Sequence, residues 1–217
     1  MRVKAALRGS GGSTAKERVL RAALEVFAEL GFEAASTTEI ARRAGVTQPL
    51  VHYHFENKER LWEAAVAETF SHLTALGDAA GAELEGLDGL PKLKAMVRRF
   101  VLFSAAHPEV ARFLSREGRG DGARLRWLVS QHAGPLSATV SQLIRDASAA
   151  GLFKPIDPVA LSCLLISAAT HVFTVPALVR LEHGCDVRDP AVIARYADTL
   201  IEVFFHGVIS EGQRGQP

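Results

Sequence analysis

The sequence has little of what marks secreted, membrane-spanning and most catalytic chains. Cysteine is scarce: 217 residues hold two, Cys163 and Cys185. No disulfide framework follows from that count, and Cys163 lies in an apolar run, where a reduced thiol behaves as a small buried hydrophobe. Long apolar runs are also missing. The first thirty residues have no apolar core of a secretory signal. The stretch 161–179 is broken by Ser162, Ser167, Thr170, His171, Thr174 and Pro176, which fits a buried helix better than a membrane span. These absences predict a reduced, soluble, cytoplasmic protein with no membrane partner.

Signals for catalysis and metals are thin. Gly-Ser-Gly-Gly-Ser at 9–13 follows no strand and lacks the lysine of a phosphate-binding loop, and no Gly-x-Ser-x-Gly elbow occurs. Carboxylates are scattered singly, so no enzyme activity and no cofactor are expected. His52 and His54 stand two apart on a helical stretch and face different ways, and His183 and Cys185 share one loop far from Cys163. Neither pattern offers the i, i+4 partners of a zinc site, so no metal is expected.

Net charge is only +1, but it is unevenly spread. Residues 1–61 hold ten Lys/Arg and seven Asp/Glu, or +3; the remainder hold fifteen and seventeen, or −2. A basic head on an acidic body points to phosphate contacts at one end.

No alternating Val/Ile/Thr run and no Asn-Gly hairpin is present, whereas apolar residues recur at helical spacing throughout: the fold class is all-α. A flexible basic arm is read over 1–13 and a frayed end over 211–217. The first helix spans about 14–30, capped by Ser13 or Thr14 with Glu17 following and stopped by Gly31. A short helix capped by Ser36 or Thr37 ends at Gly45. Thr47 caps the next, about 48–55, with Pro49 in its first turn. Asn57 opens a long helix over about 58–76, and 77–90 reads as a glycine-rich acidic loop. Further helices are expected at about 91–106, 108–117, 123–149, 158–181 (kinked or split at Pro176) and 190–210. No internal repeat is visible.

A short helix, a tight glycine turn and a second short helix make the helix-turn-helix layout. Gly45 permits the turn; Ile40, Val46 and Val51 form its small core, backed by Leu24 and Phe27. The residues left facing out are Thr37, Thr38, Thr47, Gln48, Pro49, Leu50, His52, Tyr53 and His54, with Lys58 beyond. Most of these bond phosphates or base edges, and this outer face carries no acid until Glu56. Helix-turn-helix shapes also occur as packing elements alone; the outward polar row favours DNA.

At the level of spaced residues the stretch resembles the N-terminal domain of the TetR/AcrR family of bacterial transcriptional regulators. The family's anchors appear here as Ala23, Phe27, Gly31, Phe32, Thr37 or Thr38, Ile40, Ala41, Ala44, Gly45, Val46, Thr47, His54, Phe55, Lys58 and Leu61. The resemblance covers about 14–62 by motif and the rest by architecture only. It departs at His52, where the family keeps a tyrosine that touches a backbone phosphate; Tyr53 falls one position later. It implies a DNA-binding domain at 14–62 and a ligand-binding and dimerisation domain at 63–217. The implied partners are a double-stranded operator, a small organic effector and a second copy of the chain. Repression is the family default. The rival reading is a helical small-molecule carrier without a DNA role.

For the C-terminal portion, Phe103, His107, Phe113, Trp127, His132, His171 and Phe173 are candidate pocket residues, His171 first because it interrupts an apolar run. Core packing is the alternative for each. On the last helix, Tyr196, Leu200, Ile201, Phe204 and Phe205 form a wide apolar stripe read as the dimer interface, against the option of the domain's own core.

Overall fold

A computed structural model describes residues 14–83 and 89–208, with side chains placed for all but 76–83. The expected arm at 1–13 and tail at 211–217 lie outside the described residues. No strand occurs among the described residues. The chain divides into two compact units: one runs to Thr69 and takes in Phe113–Arg119, and the other holds Phe70–Arg112 and the residues from Gly120 on.

In the first unit, α1 (Ala15–Ala34) begins with a capping box. Thr14 Oγ1 accepts from Glu17 N at 3.2 Å, and Glu17 Oε2 accepts from Thr14 N at 3.2 Å. Its helical path breaks at Gly31 (φ 81°, ψ 168°), a conformation open essentially to glycine alone, and one further turn follows. α2 (Thr37–Ala44) is capped by Ser36 Oγ, which accepts from Glu39 N, and stopped by Gly45 in the left-handed region at φ 65°. α3 (Gln48–Phe55) carries Pro49 in its first turn. α4 (Lys58–Glu83) is opened by Asn57 Oδ1, which accepts from Arg60 N at 2.8 Å.

α4 runs past Gly77, where the sequence predicts a stop. A single glycine costs a helix about 1 kcal/mol relative to alanine, too little to end one that other residues support. Of the expected loop at 77–90, residues 77–83 are therefore helical and 84–88 lie outside the described residues.

The second unit contains α5 (Leu90–Ala106), α7 (Ala123–Leu128), α8 (Gly134–Ala149), α9 (Pro158–Thr174), α10 (Pro176–His183) and α11 (Pro190–Val208). α6 (Pro108–Glu117) contributes its first half here and its second half to the first unit. The helix expected over 123–149 is interrupted by a π-turn at Val129–Ala133, closed by Gly134 N donating to Val129 O. Pro135 explains the widening, since it has no N–H for the preceding turn and its ring crowds that turn's carbonyl. Pro176 splits the helix expected over 158–181, leaving α9 and α10 bent by 79°. No single described helix is long and apolar enough to cross a membrane.

The second unit's core joins α5, α8, α9 and α11 through Val97, Ile144, Leu161, Ile201, Phe205 and Val208, with Val101, Ala169, Phe173 and Ala197 in a neighbouring cluster. Ile201 and Phe205 are only 8% and 2% exposed. They were expected at a dimer interface, and within one chain they already pack into the domain's own core, with little surface left to offer a partner. Tyr196, Leu200 and Phe204 are half-buried against the same clusters, and the Tyr196 hydroxyl donates to Ala168 O. Cys163, expected inside, is exposed. Val159, Leu164 and Ile166 on the same helix and Leu178 and Leu181 on α10 are exposed too, up to 82% at Leu181. The helix therefore buries Leu161, Ala169 and Phe173 and leaves other apolar side chains outward.

Candidate nucleic-acid interface

The short helices are held from behind by apolar contacts and from the sides by ion pairs. Phe27 and Ile40 are fully buried and Val51 is 1% exposed, so α1, α2 and α3 share one small core. Phe32 stacks on Phe27 with ring centroids 5.9 Å apart. Arg43 ties α1 to α2: Nη1 lies 2.7 Å from Glu29 Oε2, and Nε donates to Glu39 Oε1 at 2.8 Å. Arg42 grips both oxygens of the same Glu39 at 2.8 Å each. Hydrogen bonds from Arg42, then from Arg43, lower the Glu39 pKa to about 2. Arg18 Nε closes the end of α2 by donating to Ala44 O at 3.1 Å. The acid-to-base spacings are readable as i, i+3 and i, i+4 pairs, but only the fold shows Glu29 joining them.

The outward residues lie as their spacing predicts. Thr38, Thr47, Gln48, Pro49, His52, Tyr53 and His54 are exposed, and Thr37 and Leu50 are half-buried. Tyr53 is 81% exposed, with His54 edge-on at 5.3 Å. Thr47 makes no side-chain cap bond, so its hydroxyl is not spent on the helix. Gln48 Nε2 donates to Thr37 Oγ1 at 3.3 Å and lies 3.4 Å from His52 Nε2. His52 Nδ1 lies 3.3 Å from Glu56 O. A proton on Nδ1 satisfies that carbonyl and leaves Nε2 to accept from Gln48, a tautomer assigned from the network. His52 thus faces Gln48 and the α3 terminus, while the neighbouring phenol of Tyr53 points to open space.

Glu56 follows with φ 59° and ψ −56°, and Asn57 N donates to Phe55 O. That is a γ-turn of the strained kind, placed where the recognition helix ends. Sequence alone gave no sign of it, because glutamate carries no preference for that conformation.

Lys58, read from the sequence as a phosphate contact, is engaged within the fold. Its ammonium donates to Phe32 O at 2.9 Å, Ala35 O at 3.1 Å and Glu33 O at 3.2 Å, and sits 4.5 Å over the Phe32 ring. All three donors close the carbonyl end of α1, so a phosphate would have to displace one of these bonds.

The seven candidate pocket residues do not converge. Phe113 belongs to the first unit, buried against Trp62 at 5.9 Å, whereas the other six lie in the second. Phe103 is buried and meets His107 at 4.7 Å. His132, on the π-turn, stacks on Phe70 at 5.3 Å and meets Trp127 edge-on at 5.2 Å; burial pushes its pKa below the ordinary value and favours neutral imidazole. His171, expected to need a buried partner, is exposed on the rim of an open groove of about 420 Å³ between α9, α10 and α11. Phe173 is buried and lines a different cavity of about 300 Å³.

An all-helical chain with two short helices at a glycine turn and a polar outward row is a helix-turn-helix DNA-binding protein in class. The family profile described as bacterial regulatory proteins, tetR family, matches residues 19–65, and that of the tetracyclin repressor-like C-terminal domain matches residues 90–204. The chain is 28% identical over 199 residues to the HTH-type transcriptional regulator RutR of Escherichia coli K12, covering 90% of this chain and 91% of RutR. It is 43% identical over 49 residues to the class C tetracycline repressor of Escherichia coli, covering 23% of this chain and 22% of that one. The solved structure of AibR in complex with isovaleryl coenzyme A and operator DNA shares the fold at TM-score 0.68 and 17% identity, covering 88% of this chain and 98% of that one. The chain belongs to the TetR family of bacterial transcriptional regulators.

Proposed function

We propose that this regulator binds a palindromic operator as a cytoplasmic homodimer and represses transcription until a small organic effector releases it. The observation that carries the DNA reading is the exposed row on α2 and α3, in which Thr38, Thr47, Gln48, Tyr53 and His54 present donors and acceptors with no acid among them. Gln48 is the base reader, because its amide can bond adenine at two atoms; Thr37, Thr38, Thr47, Tyr53 and His54 hold phosphates, and Pro49 and Leu50 supply close apolar contact. Lys58 adds positive charge to the same segment while it caps α1. On this reading residues 14–62 bind DNA, residues 63–217 take the effector and the partner copy, and the chain acts by binding rather than catalysis.

Release follows from linkage. An effector that prefers a wider spacing of the two recognition helices weakens operator binding by its difference in affinity for the two states. α4 and α6 each have residues in both compact units and are the continuous helices able to carry that preference. The AibR complex holds an acyl coenzyme A and operator DNA together, which supports a small effector for this chain also.

The test is a mobility shift with duplex DNA from the promoter beside the chain's own gene, repeated across salt. A specific complex is expected, weakening steeply as salt rises because bound phosphates release counterions. No shift with that DNA, or an affinity insensitive to salt, would reject the reading.

A further inference from the structure

We propose that the second unit holds a binding site for a small organic anion, built where Arg112 of α6 and Arg188 of the α10–α11 loop line one cavity. The cavity measures about 300 Å³, at the lower end of the roughly 300–1,000 Å³ typical of small-molecule sites. All its lining residues lie in the second unit. For its consequence on DNA the proposal rests on the effector reading above; for binding itself it does not.

The guanidinium groups set the chemistry. Arg112 Nε is buried and has no hydrogen-bond partner. An N–H taken out of water and left unmatched is costly, and native folds rarely keep one without a reason. Several other arginines are spent on acids, Arg42 and Arg43 on Glu39, Arg60 on Glu63 and Arg98 on Asp198, and Arg18, Arg116 and Arg126 on backbone carbonyls. Among the described residues, Arg112 and Arg188 have no acidic partner. Guanidinium forks match carboxylate and phosphate oxygens two at a time, so both anions fit.

The opposing charge in the wall is Glu109, only 15% exposed, whose Oε1 lies 3.3 Å from His107 Nδ1. Two guanidinium groups against one carboxylate leave the wall with net positive charge.

The remaining wall fixes the ligand's other half. Ala105, Pro108, Phe173, Pro176 and Val187 are apolar, so the site suits an acid carrying a hydrocarbon or ring body better than a bare inorganic ion. Pro176, which breaks α9 from α10, lines this same cavity, so the split helix helps to form the site.

The test is calorimetric titration of the full-length protein, without DNA, with benzoate, hexanoate, phenyl phosphate, inorganic phosphate and neutral benzamide. Saturable binding of at least one organic anion is expected, with benzamide and inorganic phosphate at least tenfold weaker. Arg112→Gln and Arg188→Gln should each weaken that anion at least tenfold, and Arg195→Gln should leave it unchanged. Arg188 is exposed, so its variant decides the matter if Arg112→Gln fails to fold. Equal binding of benzamide and benzoate, wild-type affinity in Arg188→Gln, or no organic anion bound at all would overturn the site. The phenyl phosphate and carboxylate arms tell the two anion types apart. Adding operator DNA then separates the readings: an anion that binds but leaves operator affinity unchanged sinks the effector reading and leaves the site standing.

Discussion

At the scale of single residues, the position that departs from the family resemblance is also the one the structure explains. By its sequence His52 is a DNA-facing donor standing where the family keeps a phosphate-touching tyrosine. Its ring instead spans Gln48 on one side and the Glu56 carbonyl on the other. If Gln48 reads a base as proposed, a neighbour that bonds its amide sharpens specificity without touching DNA. Gln48→Ala is therefore expected to relax preference at one operator position by about 1–3 kcal/mol. His52→Phe, which keeps the ring and removes both nitrogens, should relax the same position by less, and the double variant should be no worse than Gln48→Ala alone. Binding to a library of operator variants checks this. If His52→Phe weakens all sequences alike and keeps the preference, His52 holds a phosphate instead. The outward row was legible because exposure follows from period and polarity. The bonds among its members were not, since they depend on where α2 ends relative to α3.

At the scale of elements, helix starts were written more plainly than helix stops. Thr14, Ser36 and Asn57 cap where their side chains suggest, because the capping bond is local. Stops depend on what packs nearby: Gly31 and Gly45 end or break helices at positive φ, while Gly77 is passed through. The π-turn at Val129–Ala133 escaped because apolar spacing continues across it, although Gly134-Pro135 marked the place. Gly31 carries a second demand. A Cβ there would sit 2.9 Å from Arg116 Nε, and Arg116 Nη1 donates to Glu29 O at 2.9 Å. Gly31→Ala therefore meets both a forbidden backbone region and the side chain that anchors α6 on α1. The expected loss is about 1–3 kcal/mol, seen as a fall in Tm of about 2–4 °C per kcal/mol for a chain of this size. Adding Arg116→Ala should recover part of it by removing the clash but not the strain. A Tm unchanged in Gly31→Ala would mean the turn is not held in this conformation in solution.

At the scale of the whole molecule, the sequence shows which faces are apolar but not what covers them. The broad stripe of α11 looked unpartnered and was assigned to a second copy; α5, α8 and α9 cover much of it within the chain. The stretch 161–179, read as a buried helix, instead shows Leu164 64% and Leu178 50% exposed, and Leu181 beyond it is 82% exposed. An exposed apolar patch of this kind on a chain read as a homodimer is the natural place for the second copy, and a two-fold contact would set each face against its own image. The spacing of recognition helices, about 34–36 Å or a multiple for a palindrome, depends on that contact. Leu164→Glu with Leu181→Glu is therefore expected to give monomers in light scattering with the helical content intact, and to cost operator affinity because one half-site must then be bound alone. Phe205→Ala, in the core, should instead lower stability by about 3–5 kcal/mol. If the double glutamate variant stays dimeric, the interface lies elsewhere. If it is monomeric yet binds the full operator as tightly as the parent, the two half-sites are not read together, and a symmetric dimer is not how this regulator recognises DNA.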